Sequence, residues 1–280
     1  MRDYEVLAQG FNEVNIHDYD PTIWSPKSVV ERNPENYGID IPLDPEVSEE
    51  IKETVRAAKR NPEESGAEFY NGPLVRVKDL DINNRVLELD LQNTNYFSHA
   101  GTRDRPELGK ENRADPLSVG ALLTTSDGRV VLGEKSGLNE YGEGEYQLPG
   151  AGFVEDPEKQ YERSMNAEPS SPIHRELNEE MNLEPPHFDF LSPKAVVGAA
   201  YRQPMLIYDA KTDLNSQEVA DRWREIDEAE REFSELIFLP TNIDAALEGE
   251  SNILTTDNDT TEEISFSREL RPHAKGALNL

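Results

Sequence analysis

The chain has 280 residues, and its 57 Asp and Glu outnumber its 28 Lys and Arg to give a formal net charge of −29. Such a surplus of acids makes nucleic acid and anionic membrane surfaces poor partners. The absence of cysteine excludes disulfides and thiolate metal sites, which leaves oxygen ligands and five histidines for any metal.

The hydropathy and the charge distribution predict where the protein works. No stretch reaches the apolar length of a membrane span, and the N-terminal residues lack the apolar core of a signal peptide, so we expect a soluble cytoplasmic protein. The acids are spread through the whole chain, which resembles the proteins of salt-adapted organisms; an ordinary acidic enzyme is the alternative. Molar salt would shorten the screening length to about 3 Å, so local cations would decide whether an anionic substrate binds.

Residues 1–105 are predicted to form an N-terminal α+β region, and residues 106–280 a separate domain. Apolar residues recur at helical spacing in residues 44–59, and Asn61-Pro62 stops that pattern. Residues 74–77 and 86–91 alternate like half-buried strands around a polar turn. The region therefore reads as one helix followed by a hairpin.

A polar and aromatic segment at residues 94–105 has neither helical nor strand periodicity. It holds two aromatic side chains and three basic ones, which are the groups that recognition of a phosphate or a base requires. An interdomain linker is an equally weighted interpretation. The residues concerned are Tyr96, Phe97, His99, Arg103 and Arg105.

The following stretch predicts buried strands. Residues 117–124 and 129–135 read as two strands joined by an Asp127-Gly128 turn. Residues 142–145 alternate between glycine and glutamate, as expected of a turn, and they lead into a strand at residues 146–148.

A glycine loop and an acidic helix come next. Residues 148–152 read Leu-Pro-Gly-Ala-Gly. The helix is expected to begin with Ser171 as N-cap and Pro172 as first residue, and to close at Asn182, a residue type that tolerates the left-handed conformation. The helix is therefore short and well bounded.

Three carboxylates of this helix, those of Glu176, Glu179 and Glu180, fall at positions i, i+3 and i+4 and so share one face. Crowded like charges cost stability, whereas a divalent cation needs clustered hard oxygen ligands. The cluster therefore predicts a metal site. A solvated helix in an acidic protein is the alternative interpretation.

Loop and helix together resemble the Nudix box, whose pattern is Gly, five residues, Glu, seven residues, and then Arg-Glu-apolar-X-Glu-Glu-X-Gly-apolar. Gly152 and Glu158 match its first part, and residues 175–183 match its second part with Asn182 in place of the glycine. Sixteen residues separate Glu158 from Arg175 where the family has seven, so nine extra residues interrupt the box. That insertion leaves open whether Glu158 reaches a metal.

The resemblance extends over residues 115–240 and implies an α/β fold, an α/β/α sandwich around a mixed sheet. The rest of the pattern agrees with alternating strands and helices. Strands are expected at residues 195–200, 205–208 and 235–239, helices at 217–233 and 243–247, and a loop at 255–261. Trp223 is expected in the core, and Tyr201 and Arg202 lie in a turn that faces the ligand in this interpretation.

The resemblance also implies roles for residues. Members of the family use Mg²⁺ or Mn²⁺, and the three helix glutamates would be its ligands, with the Gly152 carbonyl and Glu158 as further oxygens. Arg175 would pair with a carboxylate of the box or contact the substrate. The general base stays open between the box glutamates and a downstream acid such as Glu235.

Family members hydrolyse nucleoside diphosphates linked to another moiety, so we expect a metal-dependent pyrophosphohydrolase with a small-molecule nucleotide as its partner. A helix and hairpin before the box resemble the UDP-sugar pyrophosphatase branch, which favours a nucleoside diphosphate sugar. The alternatives are an inactive Nudix fold that serves as a nucleotide sensor, and isomerase or mRNA-decapping chemistry. A homodimer is compatible with the sequence.

Overall fold

A computed structural model of the chain describes residues 4–20, 73–102, 113–136, 144–155, 170–199, 203–240, 253–256 and 270–280. Four α-helices lie in these residues: α1 (Tyr96–Thr102), α2 (Ser171–Met181), α3 (Ser216–Arg224) and α4 (Pro272–Leu278). The first strands are β1 (Tyr4–Gln9), β2 (Glu13–Asp20), β3 (Pro73–Asn83), β4 (Val86–Asn95), β5 (Ser118–Thr124) and β6 (Arg129–Lys135). The others are β7 (Tyr146–Gln147), β8 (Gly152–Phe153), β9 (Phe188–Ala199), β10 (Pro204–Thr212), β11 (Phe233–Pro240) and β12 (Leu254–Thr255).

The strands form two sheets. The larger has the order β1-β9-β10-β5-β6-β11-β12, with β7 paired to β6 and β8 to β5, and the smaller has the order β2-β4-β3. In the larger sheet β10 and β5 are parallel while β9 and β10 are antiparallel. The sheets are therefore mixed, and the α+β architecture is consistent with the expected α/β/α sandwich.

Two apolar clusters lie on opposite sides of the larger sheet, as the alternation along β5 shows. Val119, Ala121 and Leu123 belong to one cluster and Leu122 to the other, because successive strand residues point to opposite faces. The first cluster also contains the buried apolar residues of α2 and α3, and the second contains those of α4. Helices thus cover both faces.

The predicted hairpin of β5 and β6 is present, but its strands pair only at Thr124 and Val130, close to the turn. Beyond that point β5 pairs with β8 and β6 pairs with β7. The glycine loop that joins β7 to β8 therefore enters the sheet between the diverging strands, and this opening positions the site described below.

The N-terminal hairpin is confirmed, with strands longer than predicted. Asn84 and Arg85 form its turn with φ angles of 51° and 67°, the left-handed pair that suits a two-residue connection. The hairpin also joins the main body, because the Val75 N–H donates to the Val154 carbonyl at 3.2 Å and the Leu117 N–H donates to the Val75 carbonyl at 2.8 Å. The division at residues 105 and 106 stays a prediction.

Residues 96–102 are helical, so the expectation of an irregular segment was wrong there. The Ser98 N–H donates to Asn95 Oδ1 at 2.9 Å, and the Thr102 hydroxyl donates to the Ser98 carbonyl at 2.6 Å. These two side chains satisfy the ends of α1, which hydrophobic periodicity does not reveal.

The helix predicted over residues 217–233 is too long, because α3 ends at Arg224. Arg231 folds back over it, donating to the carbonyls of Ile226 at 3.0 Å and Arg224 at 2.8 Å. Its guanidinium lies 4.6 Å from the Trp223 ring centroid, and Trp223 is buried as predicted. The chain then continues into β11.

The strands predicted at residues 205–208 and 235–239 are confirmed within β10 and β11. The strand predicted at residues 195–200 is confirmed over residues 195–199 in β9, and residue 200 lies outside the described residues. Thr255, expected in a loop, lies in β12. The helices predicted at residues 44–59 and 243–247 lie outside the described residues. In the part of the chain that the structure describes, no helix is both long and apolar enough to cross a membrane.

Candidate functional site

The acidic helix α2 is held by its apolar side and by its C-terminal cap. Ile173, Leu177 and Met181 are fully buried. Asn182 adopts the expected left-handed conformation with φ of 55°, and the Leu183 N–H donates to the Leu177 carbonyl at 3.1 Å. The N-cap is Ser170, one residue before the predicted Ser171, because the Ile173 N–H already donates to the Ser170 carbonyl at 3.0 Å. The side of α2 that faces the glycine loop includes Ile173 and Leu177 as well as Glu176 and Glu180.

The glycine loop closes directly on α2. The Gly150 N–H donates to Glu180 Oε2 at 2.6 Å, and Gly150 has a φ of +65°. A Cβ at Gly150 would lie 3.0 Å from Leu177 Cγ, and one at Gly152 would lie 2.8 Å from Glu176 Cδ and meet its carboxylate oxygen. Gly150 is therefore favoured by its left-handed backbone and its close approach to Leu177, and Gly152 by its close approach to the Glu176 carboxylate.

The three predicted carboxylates differ in their exposure. Glu180 is 1% exposed, whereas the side chains of Glu176 and Glu179 are 12% and 55% exposed. Glu180 Oε1 is buried and has no hydrogen-bond partner among the described residues. A carboxylate oxygen in that state is energetically costly, so it marks a place where a ligand would be stabilising.

Arg175 lies along the carboxylates as a bridging cation. Its guanidinium donates to Glu176 Oε1 at 2.6 Å and to Glu155 Oε1 at 2.9 Å, and Nε lies 3.8 Å from Glu179 Oε2. Arg175 thus pairs with carboxylates of the box, as one of its two predicted roles requires. Glu155, which the sequence did not single out, follows β8 and provides the second anchor.

The acids of the site have perturbed pKa values because they are crowded and poorly hydrated. Burial raises the pKa of Glu176 to about 7, with Glu179 and Glu232 adding repulsion against the attraction of Arg175. Burial and the charges of Glu176 and Glu232 raise the pKa of Glu180 well above its usual value. Burial also raises the pKa of Glu232, with Glu179 adding to the shift.

The carboxylate oxygens of these acids are negatively charged and close together, as the ligands of a hard divalent cation are. Within the described ranges, however, no group of three or more His, Asp or Glu side chains is arranged as a metal site. In this structure Glu176 accepts a hydrogen bond from Arg175, and one oxygen of Glu180 accepts one from the Gly150 N–H.

A cleft of about 300 Å³ opens beside the glycine loop. Its lining combines the loop with charged residues from three distant parts of the chain. These residues include Tyr96, Lys135, Gly152, Phe153, Glu232, Arg271 and His273. Glu235, the downstream acid considered as a base, instead accepts a hydrogen bond from the Tyr146 hydroxyl at 3.1 Å.

The aromatic segment reaches this cleft through α1. Tyr96 lines it, with its ring centroid 6.3 Å from that of Phe153. His99 is buried, and its ring centroid lies 5.1 Å from that of Phe153 in an edge-to-face arrangement. Five further predicted residues lie outside the described residues: Arg103, Arg105, Glu158, Tyr201 and Arg202.

Lys135, Glu232 and Arg271 are cleft residues that the sequence did not indicate. Lys135 and Glu232 meet because β6 pairs with β11 at Lys135 and Phe233. Arg271 lies at the cleft because the preceding residue, Leu270, forms a β-bridge with Tyr146. Neither contact has a local sequence signal, because each depends on pairing between residues that are far apart in the chain.

Comparison with protein-family models finds no match, and no curated protein matches. DR0079 from Deinococcus radiodurans is 17% identical, with 39% of this chain and 72% of that chain covered and a TM-score of 0.25. The NUDIX domain of NrtR from Shewanella oneidensis, solved with ADP ribose, is 19% identical, with 45% and 73% covered and a TM-score of 0.30. Such values are at most compatible with a Nudix-like fold, and they give no support to the UDP-sugar branch.

Proposed function

We propose that the chain is a divalent-metal-dependent hydrolase that cleaves the diphosphate linkage of a nucleoside diphosphate conjugate, with a nucleoside diphosphate sugar as the favoured substrate. The observation that carries this proposal is the buried Glu180 Oε1, which has no hydrogen-bond partner among the described residues and belongs to a face with two further carboxylates. Leaving a buried acceptor unsatisfied costs about 1–3 kcal/mol, and more for a charged one. A bound cation would remove that cost.

Glu176, Glu179 and Glu180 are the proposed ligands of Mg²⁺ or Mn²⁺, with the Gly152 carbonyl and Glu158 as further oxygens. When bound, the metal neutralises the diphosphate and lowers the pKa of an attacking water. Arg175 is proposed as a positioning residue, because it contacts Glu176 and Glu155 within hydrogen-bond distance. It would hold the acidic side chains close together and balance part of their charge.

The hydrolysis adds one water across a phosphoanhydride. The water oxygen bonds to one phosphorus, the bridging P–O bond breaks, and two phosphate monoesters leave. We assign the proton of the attacking water to Glu232, because it lines the cleft and its charge couples to that of Glu179. A general base must lie within hydrogen-bond reach of the water in the bound complex. Glu232 lines the cleft, and its charge helps to raise the pKa values of Glu176 and Glu180.

Tyr96 and Phe153 each contribute an aromatic ring to the lining of the cleft. Their rings are proposed to pack against the base of the nucleotide, a contact worth roughly 1–3 kcal/mol. His99 acts through Phe153, against which its ring lies. The N-terminal region would therefore contribute recognition while the box supplies the chemistry.

The test is a panel of nucleotide conjugates incubated with the full chain and Mg²⁺ or Mn²⁺, with products resolved by chromatography. Paired phosphate monoesters from a nucleoside diphosphate sugar are the expected products. Glu180→Gln should abolish them, whereas Glu13→Gln, at an exposed acid of β2, should not. Binding of a conjugate without turnover at any salt concentration would favour the sensor alternative.

A further inference from the structure

A second cavity, of about 340 Å³, lies where the N-terminal hairpin meets the edge of the larger sheet. Its described lining comes from β1, β3, Asp115 and the start of β10, and none of these lining residues also lines the cleft beside the glycine loop. Ligand pockets in proteins have volumes from about 300 Å³ upwards. The cavity is therefore large enough for a small molecule and is separate from the cleft.

The backbone is irregular at three places around this cavity. The pairing of β1 with β9 shifts register at Leu7, and the pairing of β3 with β4 shifts register at Lys78. Asp115 has a φ of 36°, in the left-handed region that residues other than glycine rarely adopt. Leu7 and Asp115 line the cavity, as do the residues on both sides of Lys78. Bulges and strained residues are concentrated at functional sites, where they redirect side chains, so these three features together indicate a binding site.

The buried side of the cavity carries a guanidinium that is held in place. Arg76 and Asp115 both line the cavity, although they are only 6% and 9% exposed. The Asp115 carboxylate accepts a hydrogen bond from Arg113 Nη2 at 2.8 Å, and its charge attracts Arg76. A guanidinium has five N–H donors in a planar fork that matches a carboxylate. Arg76 can therefore bind the carboxylate of a ligand while it keeps its interaction with Asp115.

The exposed side of the cavity is acidic. Glu5 and Asp79 line it and are both exposed, and neither forms an ion pair with another described residue. Asp79 also lies directly opposite Asp90 of β4. Directly opposed like charges destabilise a sheet, so a ligand cation beside Asp79 relieves a repulsion in addition to forming its own ion pair.

We propose that this cavity binds a small zwitterion, an amino acid with an aliphatic side chain. Its carboxylate pairs with Arg76, its ammonium group lies beside Glu5 and Asp79, and its side chain packs against apolar residues such as Leu7 and Pro204. A ligand with only an acidic group meets no cation at the exposed side, and one with only an amine leaves Arg76 unused. The bound zwitterion joins β1 to β3 and so fastens the hairpin to the larger sheet.

The experiment measures binding to the full chain by titration calorimetry, with L-leucine as the probe and EDTA present so that no metal contributes. Isocaproate has the same carbon skeleton without the ammonium group, and isoamylamine has it without the carboxylate. The wild type is expected to bind leucine, and each of the two analogues should bind about tenfold to a hundredfold more weakly, since each lacks one charge-assisted contact.

Variants assign each charge to its partner. Glu5→Gln and Asp79→Asn should each weaken leucine binding about threefold to tenfold and leave isocaproate binding unchanged. Asp81→Asn is the matched control: Asp79 and Asp81 each accept the N–H of the next residue and lie opposite an acid of β4, but Asp81 does not line the cavity. Arg76→Gln should weaken the binding of leucine and isocaproate together.

Absence of leucine binding by the wild type would overturn the proposal, and so would isocaproate or isoamylamine binding as tightly as leucine. Equal losses of affinity in Asp79→Asn and Asp81→Asn would also overturn it, because a general effect of surface charge would then explain the data. If Arg76→Gln fails to fold, the analogues and the variants of the two exposed acids decide. None of these measurements depends on metal or turnover, so they leave the proposed hydrolase untouched.

Discussion

His273 should make the stability of the protein depend on pH. Its side chain is buried beside the cleft, and its Nε2 lies 2.9 Å from the Gln203 carbonyl oxygen. Burial lowers the pKa of His273 from 6.5 to about 4, with Arg271 adding to the shift and the Gln203 contact opposing it. The imidazole is therefore neutral in the folded protein at neutral pH.

The sign and size of the effect follow from proton linkage. Between the unfolded pKa of 6.5 and the folded pKa of about 4, the unfolded chain binds a proton that the folded chain does not, so the free energy of unfolding falls as the pH falls. The complete loss is about 3 kcal/mol, and about 2 kcal/mol of it falls between about pH 7 and about pH 5. For a chain of this length that corresponds to a decrease in Tm of about 4 °C.

Thermal and urea unfolding of wild type and His273→Gln across that pH range isolates this contribution. Glutamine keeps a donor for the Gln203 carbonyl but does not titrate, and the acids shared by the two proteins cancel in the difference. The wild type should lose about 2 kcal/mol more than the variant between about pH 7 and about pH 5. Parallel curves for the two proteins would refute the reasoning.

Four further outcomes are expected. Glu179→Gln or Glu180→Gln should lower kcat by about a hundredfold or more with an unchanged circular dichroism spectrum, because an amide keeps the shape of the side chain but loses the charged ligand. Normal turnover of both variants at saturating metal would refute the metal assignment. Glu232→Gln should lower kcat while KM changes by less than about twofold. A raised KM with an unchanged kcat would instead show that Glu232 binds substrate. Arg103→Ala should cut kcat/KM for nucleotide sugars by about tenfold to a hundredfold, at roughly 1.4 kcal/mol per decade; wild-type kinetics would leave residues 94–105 as a linker. Melting temperatures should rise from low salt to molar KCl as screening relieves repulsion among the acids, and a Tm independent of salt would end the salt-adapted interpretation.

Much of the fold could be predicted from local patterns. The hairpin of β3 and β4, the strands on either side of Asp127-Gly128 and the cap at Asn182 each depend on residues close together in the chain. The predicted helix boundaries were wrong where a side-chain hydrogen bond determines where a helix begins or ends. Asn95 and Thr102 complete α1, and Arg231 ends the helix that periodicity would have continued to residue 233. Such hydrogen bonds leave no period in the sequence.

The sequence by itself determined the acidic face of α2, because helical spacing alone brings Glu176, Glu179 and Glu180 to one side, and it determined the two glycines that lie against them. Only the tertiary structure decided what surrounds that face. The pairing of β6 with β11 brings Lys135 to Glu232, the bridge between Tyr146 and Leu270 brings in Arg271, and packing of α1 brings Tyr96 to Phe153. These contacts join residues far apart in the chain, and their formation depends on strand register and core packing, which no local spacing encodes.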